Sequence, residues 1–323
     1  MKSGKLGLVL AGGGGKGAYH IGVWRALREY GVEQNIQAIS GTSVGALNGA
    51  LFALGDYELA ESIWRGLTYD KVLSLSKNRI LALLLGAGLG SWMAPEFISL
   101  MAGSGVFTRQ GLQEIIERKL DLGGITHSTR SVIAGVYNLS KMRMEYKDMS
   151  GGDAAYITKV LLASSALPVI YPQEIIDGDR YIDGGVADNV PILPLYQRGC
   201  RVILAVHLSR DSLLKQKQKY KDVRILEIVP SKDQGNFVQG TLDFSAEGID
   251  RRIQQGYHDT CRVLKPVYEM GMTQKQIGTA LQGIKQDNHH NRYRQREIME
   301  ERNKFQQQRN LLWEELQEEL DHE

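Results

Sequence analysis

The sequence predicts an α/β fold with a mostly parallel central sheet, because short apolar strands alternate with helical segments along its first half. The run KLGLVLA over 5–11 is typical of a strand buried on both faces. A second short strand over 36–39 precedes the segment 44–54, which is apolar nearly all round and indicates a helix inside the core. We predict a parallel sheet covered by helices, because the elements follow in the order strand, glycine loop, helix, strand, sharp turn and buried helix.

The remaining elements follow from local patterns in the same way. The segment 18–30 has apolar residues at helical spacing, and Gly31 is placed to stop that helix. Further strands are predicted over 131–136, 142–146, 181–183, 201–207 and 224–229. Further helices are predicted after the capping residues Asp56 and Thr108, over 153–165 and over 243–264.

Composition places the chain among ordinary globular proteins and argues against several classes of function. Its 323 residues are 42% hydrophobic and 24% charged, enough for one large α/β core. Lys and Arg number 39 against 37 Asp and Glu, a net charge of +2 that argues against nucleic acid as a partner. Cys200 and Cys261 have no CxxC spacing, which favours a reducing, cytoplasmic compartment without disulfides or zinc. The first apolar run is too short for a signal peptide.

The chain beyond residue 270 differs in composition, because it has no Val or Pro and is rich in Gln, Arg and Glu. Three apolar residues follow one another at intervals of seven: Ile298, Phe305 and Leu312. This spacing indicates a helix, although arginines at the intervening positions weaken the case for a stable coiled coil. We therefore predict a folded domain over 1–270 and a charged helical tail over 271–323. The tail is interpreted either as a solvated helix or as an oligomer contact.

A nucleophile motif, G-x-S-x-G, lies between the second strand and the buried helix: Gly41, Thr42, Ser43, Val44 and Gly45. A nucleophilic serine stands on a turn so tight that the residues two before and two after it have no room for side chains. The strand before and the helix after supply the context that the motif requires. The helix N-terminus also presents N–H groups and a positive dipole that would favour an oxyanion. Ser43 is thus the predicted nucleophile.

The glycine-rich loop after the first strand is open to two competing interpretations: Gly12, Gly13, Gly14, Gly15, Lys16 and Gly17. The loop matches the dinucleotide-binding fingerprint, but that fingerprint needs an acid at the end of the second strand, where the chain has Ser40. A phosphate-binding Walker motif needs Ser or Thr after the lysine, and Gly17 stands there. Unobstructed backbone N–H groups near a serine instead predict an oxyanion hole.

A third motif, Asp183-Gly184-Gly185, follows a predicted strand end, with Asp179 and Asp188 as nearby alternatives. An aspartate followed by two glycines can come close to a neighbouring loop, although the pattern alone is common in turns. The order and spacing of the three motifs, together with the segment 163–168, resemble the patatin-like phospholipase family over roughly residues 5 to 230.

This resemblance implies a patatin-like three-layer α/β/α sandwich with a mostly parallel central sheet, followed here by a C-terminal helical extension. It implies that 1–270 is a hydrolase domain with a Ser43–Asp183 dyad, no histidine, no cofactor and no metal. The implied reaction is hydrolysis of fatty acyl esters, of the phospholipase A or lysophospholipase type, through an acyl-serine intermediate. The implied substrate is a phospholipid or another fatty acyl ester.

Several interpretations remain open from the sequence. His207 has the chain order of a third triad member, and we favour a histidine held by structural hydrogen bonds. The apolar run 80–93 is too short to cross a bilayer and indicates a core helix, or a lid or interfacial segment around Trp92. A peripheral contact with the inner membrane face is a further expectation. The competing function is a lipid-sensing regulatory module without turnover.

Overall fold

The computed structural model describes residues 4–68, 72, 110–168, 170–212 and 219–320. Contacts divide the chain into two compact units, 1–264 and 265–323. The strands are β1 (Lys5–Leu10), β2 (Ile36–Thr42), β3 (Ser131–Asn138), β4 (Arg143–Asp148), β5 (Glu174–Ile176), β6 (Asp179–Asp183), β7 (Cys200–Val206) and β8 (Arg224–Ile228). The helices are α1 (Ala18–Glu29), α2 (Val44–Leu54), α3 (Tyr57–Arg65), α4 (Gln110–Lys119), α5 (Leu122–Thr126), α6 (Ala154–Ser164), α7 (Leu193–Gln197) and α8 (Ala246–Leu320).

The eight described strands form one mixed sheet in the order β5-β6-β3-β2-β1-β7-β8, with β4 also paired to β3. The pairs β1–β2, β1–β7, β2–β3 and β7–β8 are parallel. The pairs of β3 with β4 and β6, and of β5 with β6, are antiparallel. The predicted α/β architecture with a mostly parallel sheet is confirmed, with antiparallel strands added at one side.

Two strands meet end to end on one edge of β3. Thr42, the last residue of β2, pairs with Gly135, and Asp183, the last residue of β6, pairs with Val136. Because β4 pairs with β3 along the whole stretch 133–138, β2 and β6 must share the opposite edge. The carboxyl ends of β2 and β6 therefore face each other, and this junction positions the site described below.

The helices that the sequence patterns predict begin and end close to their predicted bounds, with one exception, whereas the short helices α5 and α7 were not predicted. Helix α2 has 11 residues, nine of them buried, as its all-round apolar pattern predicted. The side chains of Asp56 and Asp153 accept hydrogen bonds from Leu59 N and Tyr156 N at the starts of α3 and α6. Thr108 and the run 80–93 lie outside the described residues.

The exception is α8, because the helix predicted over 243–264 and the helical tail predicted over 271–323 belong to one continuous helix. The helix starts at Ala246, contains Pro266 and continues to Leu320. Its Gln-, Glu-, Lys- and Arg-rich residues beyond 264 are strong helix formers and need no buried face. In the part of the chain that the structure describes, no helix is long and apolar enough to cross a membrane. The division into a hydrolase domain over 1–270 and a tail stays a prediction.

Candidate active site

The turn between β2 and α2 presents Ser43 in an unusual backbone conformation. Ser43 has φ 56° and ψ −128°, a region that non-glycine residues rarely occupy and that costs about 1–3 kcal/mol. A Cβ atom on Gly41 would collide with the backbone of Gly45, and one on Gly45 would collide with the Leu10 carbonyl. Backbone therefore fills the space on both sides of the serine.

Ser164, at the end of α6, holds this turn in place. Its hydroxyl accepts a hydrogen bond from Ser43 N at 2.9 Å and donates one to the Gly135 carbonyl at 2.8 Å. The Ser164 side chain is fully buried. One hydroxyl thus connects the Ser43 turn to β3, and it satisfies an N–H group that α2 cannot use because it lies before the first helical hydrogen bond.

Asp183 lies next to the serine, at the carboxyl end of β6. Gly185 N donates a hydrogen bond to Asp183 Oδ1 at 2.7 Å, and the Ser43 side chain is close enough to the carboxylate to affect its pKa. The Asp183 side chain is only 2% exposed. Burial raises the pKa of Asp183 from 3.8 to about 6, although the interactions with Ser43 and Gly185 N oppose that rise. A carboxylate with such a pKa can accept a proton near neutral pH.

The loop after Asp183 is hydrogen-bonded to β2 and to the glycine-rich loop. Thr42 Oγ1 donates to the Asp188 carbonyl at 2.9 Å, and Asn189 Nδ2 donates to the Gly12 carbonyl at 3.1 Å. The Asp188 carboxylate accepts a hydrogen bond from Tyr146 at 2.6 Å, so this alternative acid has a structural role. Asp179, the other alternative, accepts hydrogen bonds from the side chains of Lys141 and Asn138.

The glycine-rich loop forms a short 3-10 turn, Gly14–Gly17, that leads into α1. Gly12 N donates to the Asn189 carbonyl at 3.3 Å, and Lys16 N donates to the Gly13 carbonyl at 3.2 Å. The N–H groups of Gly13 and Gly14 donate to no group among the described residues. Two adjacent backbone donors are therefore available in the loop that follows β1.

A cavity of about 370 Å³ contains the serine, the aspartate and the glycine loop. Gly12, Gly13, Gly14 and Lys16 line it, together with Ser43 and Asp183. Most of the remaining lining is apolar and includes Leu47, Leu51, Trp64, Leu167 and Phe244. A mostly apolar lining that also includes a few polar groups is typical of a site that binds an apolar chain next to a reactive group.

Comparison with known proteins decides the family. The sequence profile of the family described as "Patatin-like phospholipase" matches residues 8–196. The chain belongs to the patatin-like phospholipase family. This match contains the glycine loop, the serine turn and Asp183 of the patatin-like chain.

Individual relatives agree with this assignment over part of their length. The chain is 27% identical over 204 residues to lysophospholipase NTE1 of Kluyveromyces lactis, covering 63% of this chain and 12% of that protein. It is 31% identical over 205 residues to lysophospholipase NTE1 of Cryptococcus neoformans, covering 64% and 11%. It therefore spans only about an eighth of the length of these relatives. The structure of VipD from Legionella pneumophila shares the fold, with a TM-score of 0.50, 17% identity and coverage of 81% and 67%.

Two histidines of the patatin-like domain are buried away from the cavity lining. His207 Nδ1 lies 3.0 Å from Ser212 Oγ, and its Nε2 lies 3.1 Å from Glu227 Oε1. His20 lies 3.1 Å from Asn48 Nδ2, and burial lowers its pKa to about 3, so it is neutral. Neither ring lines the cavity that holds Ser43. Among the described residues no cluster of His, Cys, Asp and Glu is arranged to hold a metal ion.

The sequence analysis assigned no role to three residues that position the site: Ser164, which belongs to the segment 163–168, Asn189 and Asn48. Asn48 donates to the Gly17 carbonyl at 3.0 Å and accepts from Trp64 Nε1 at 2.8 Å. Only the position of Asn48, five residues after the nucleophile on α2, is a local signal that could have suggested its role. Ser164 and Asn189 lie 121 and 177 residues from their partners, so no local pattern reveals them.

Proposed function

We propose that this chain hydrolyses fatty acyl esters of lipids through an acyl-Ser43 intermediate, with Asp183 as the base and the glycine loop as the oxyanion hole. One observation supports this above all: Ser43, on its strained turn, and the buried Asp183 carboxylate line the same largely apolar cavity, where burial raises the pKa of Asp183 to about 6. A serine paired with a base that accepts protons near neutral pH is an activated nucleophile.

In the first half-reaction, Ser43 Oγ attacks the ester carbonyl carbon and its proton passes to the Asp183 carboxylate. The negative charge develops on the former carbonyl oxygen, and the N–H groups of Gly13 and Gly14 are the donors we assign to it. The carbon–oxygen bond to the alcohol then breaks. The departing alkoxide takes the proton from Asp183, and the acyl group stays on Ser43.

In the second half-reaction, a water molecule attacks the acyl carbon and gives one proton to Asp183. Collapse of this second oxyanion breaks the bond to Ser43 Oγ, which recovers the proton from Asp183. The products are a fatty acid and the free serine. Asp183 serves as base and then acid in both halves, so the reaction requires no histidine.

The acyl chain is the part of the substrate that the cavity supports best, because most of its lining is apolar. The curated relatives are named lysophospholipases, which makes a lysophospholipid the first substrate to test. Phospholipids and other fatty acyl esters follow, and activity on vesicles would also report the proposed peripheral membrane contact. A mechanism without a metal or cofactor predicts full turnover in the presence of EDTA.

A fluorophosphonate probe tests the proposal directly, because it phosphonylates activated serines. We expect labelling of the wild type, none of Ser43→Ala and very slow labelling of Asp183→Asn. Release of fatty acid from lysophosphatidylcholine should follow the same order. A wild type that neither reacts with the probe nor releases fatty acid, yet binds the lipid, would favour the alternative of a lipid-sensing module. Labelling of Ser43→Ala would place the nucleophile elsewhere.

A further inference from the structure

The cavity is completed by a segment that lies outside the family-matched residues 8–196. Phe237, Thr241, Leu242 and Phe244 all line it. Leu242 and Phe244 are buried. Three apolar residues of the lining, Phe237, Leu242 and Phe244, therefore come from a short stretch late in the chain.

This stretch has an unusual backbone. Residues Phe237–Thr241 form a π-helical turn, which is rare and occurs frequently at functional sites. The side chain of Asn236 caps the turn by accepting from Gln239 N at 2.8 Å. Leu242 N donates to the Phe237 carbonyl at 3.0 Å. The turn is thus a defined structure whose first and last residues, Phe237 and Thr241, border the cavity.

The segment packs directly on the glycine-rich loop. A Cβ atom on Gly14 would collide with the Thr241 carbonyl, and one on Gly15 would collide with the Asp243 carbonyl. A Cβ atom on Gly240 would in turn collide with the Lys16 side chain. These glycines therefore permit close approach between the two backbones, in addition to leaving the loop N–H groups unobstructed.

The side chain of Arg252, on α8, is hydrogen-bonded to this segment. This side chain is 1% exposed, so the hydrogen bonds of its two terminal nitrogens are made inside the protein. Arg252 Nη2 donates to Asp243 Oδ2 at 2.8 Å and to the Gln239 carbonyl at 3.1 Å, and Nη1 donates to the Asp243 carbonyl at 3.2 Å. The acceptors are the Gln239 carbonyl in the middle of the turn and the carbonyl and carboxylate of Asp243, two residues after it. One side chain thus connects the turn to the residues that follow it.

The part of α8 that carries Arg252 is itself anchored. A Cβ atom on Gly22 of α1 would collide with the Ile253 carbonyl, and one on Gly256 would collide with the Tyr19 carbonyl. Ile249 and Ile253 are buried on the same stretch. The α1 and α8 backbones are therefore in contact, and Arg252 extends from a rigid support rather than from a mobile one.

We propose that residues 237–244 are the wall that selects the acyl chain in this protein, and that Arg252 is the positioning residue that holds this wall against the glycine loop. The proposal rests on the proposed function, since it assigns the acyl specificity of the same site. A short acyl group attached to Ser43 does not require this wall, whereas a long chain does. The segment should therefore affect long-chain substrates selectively.

The first experiment compares p-nitrophenyl dodecanoate with p-nitrophenyl acetate. Phe237→Ala and Phe244→Ala should each lower kcat/KM for the dodecanoate by about tenfold, mainly through KM, because apolar contacts bind substrate and transition state alike. The same variants should change kcat/KM for the acetate by less than about twofold. Phe305→Ala, an exposed aromatic of α8, is the matched control and should change neither.

The second experiment replaces Arg252 by Lys, which keeps the charge but lacks the planar fork that serves three acceptors. Arg252→Lys should reproduce the long-chain loss, with kcat for the acetate retained. Arg251→Gln is its control, because Arg251 is exposed and its nearest contact with Asp243 is 3.8 Å. Equal losses on both esters, or no loss on the dodecanoate, would refute the proposal. If Arg252→Lys fails to fold, the two phenylalanine variants decide the matter.

A binding measurement separates this proposal from the proposed function. Dodecanoate is titrated calorimetrically into Ser43→Ala, with and without Phe237→Ala. About tenfold weaker binding in the double variant supports the acyl wall, even if the wild type hydrolyses no ester. Unchanged binding refutes the wall, even if Ser43 proves to be the nucleophile.

Discussion

Replacing Asp183 by Asn should stabilise the folded protein while it removes activity. Burial raises the pKa of Asp183 from 3.8 to about 6, so at neutral pH the fold must hold an ionised carboxylate where the neutral form is favoured. A rise of this size corresponds to about 3 kcal/mol. Asn carries no charge and keeps an oxygen that can accept from Gly185 N, so this penalty disappears in the variant.

The stability of the wild type should also change with pH in a direction that identifies Asp183 as the cause. The unfolded chain loses the Asp183 proton near pH 3.8 and the folded protein loses it near pH 6. The folded state therefore binds more protons between these values, and the wild type loses stability as the pH rises through them. The advantage of Asp183→Asn in the free energy of unfolding should be about 3 kcal/mol at pH 8 and about 1.5 kcal/mol at pH 5.

Urea unfolding of both proteins at pH 5 and pH 8 measures this difference, because all other titrating groups contribute equally to the unfolding free energies of the two proteins. Asp179→Asn is the control: a hydrogen bond from Lys141 holds the pKa of Asp179 below its usual value, so this variant should gain no stability. A less stable Asp183→Asn at pH 8, or an identical difference at the two pH values, would refute the reasoning.

Three further predictions concern the same site. The rate of fluorophosphonate labelling should fall about tenfold per pH unit below pH 6, because Asp183 must be ionised to accept the serine proton; a flat profile from pH 5 to 8 would contradict its role as base. His207→Ala should leave kcat/KM within about twofold of the wild type while it lowers the thermal midpoint, because the buried ring contacts Ser212 and Glu227 rather than the cavity. Ser164→Ala should cost about 1–3 kcal/mol of stability and slow labelling of Ser43, because the N–H of Ser43 loses its acceptor; the buried Thr158→Ala on the same helix should leave the labelling rate unchanged.

The elements set by local patterns were predictable from the sequence. Helix α2 runs over Val44–Leu54, as its all-round apolar composition predicted, and β1 and β2 precede the two glycine turns. The turn at Ser43 was predictable because its cause is steric: Gly41 and Gly45 leave the neighbouring backbone no alternative. Such features depend on a few adjacent residues and can be inferred from those residues alone.

The contacts that assemble the site depend on residues far apart in sequence, and no local pattern contains them. The hydroxyl of Ser164 and the amide of Asn189 act across the fold, and the segment 237–244 follows the family-matched region altogether. The composition of the glycine loop indicated an anion site but gave no sign of a second role. Gly14 and Gly15 also make room for the carbonyls of Thr241 and Asp243, which are remote in sequence.

Because β2 and β6 meet end to end along β3, the distance between Ser43 and Asp183 is set by β3. Thr42 and Asp183 are opposite consecutive residues of β3, Gly135 and Val136. One residue inserted between these two would separate the serine and the aspartate by about 3.3 Å and turn the following β3 side chains to the opposite face. Neither Ser43 nor Asp183 would be altered, yet the two side chains would no longer lie next to each other. A single insertion at the peptide bond between Gly135 and Val136 should therefore disrupt the site without changing any residue in it.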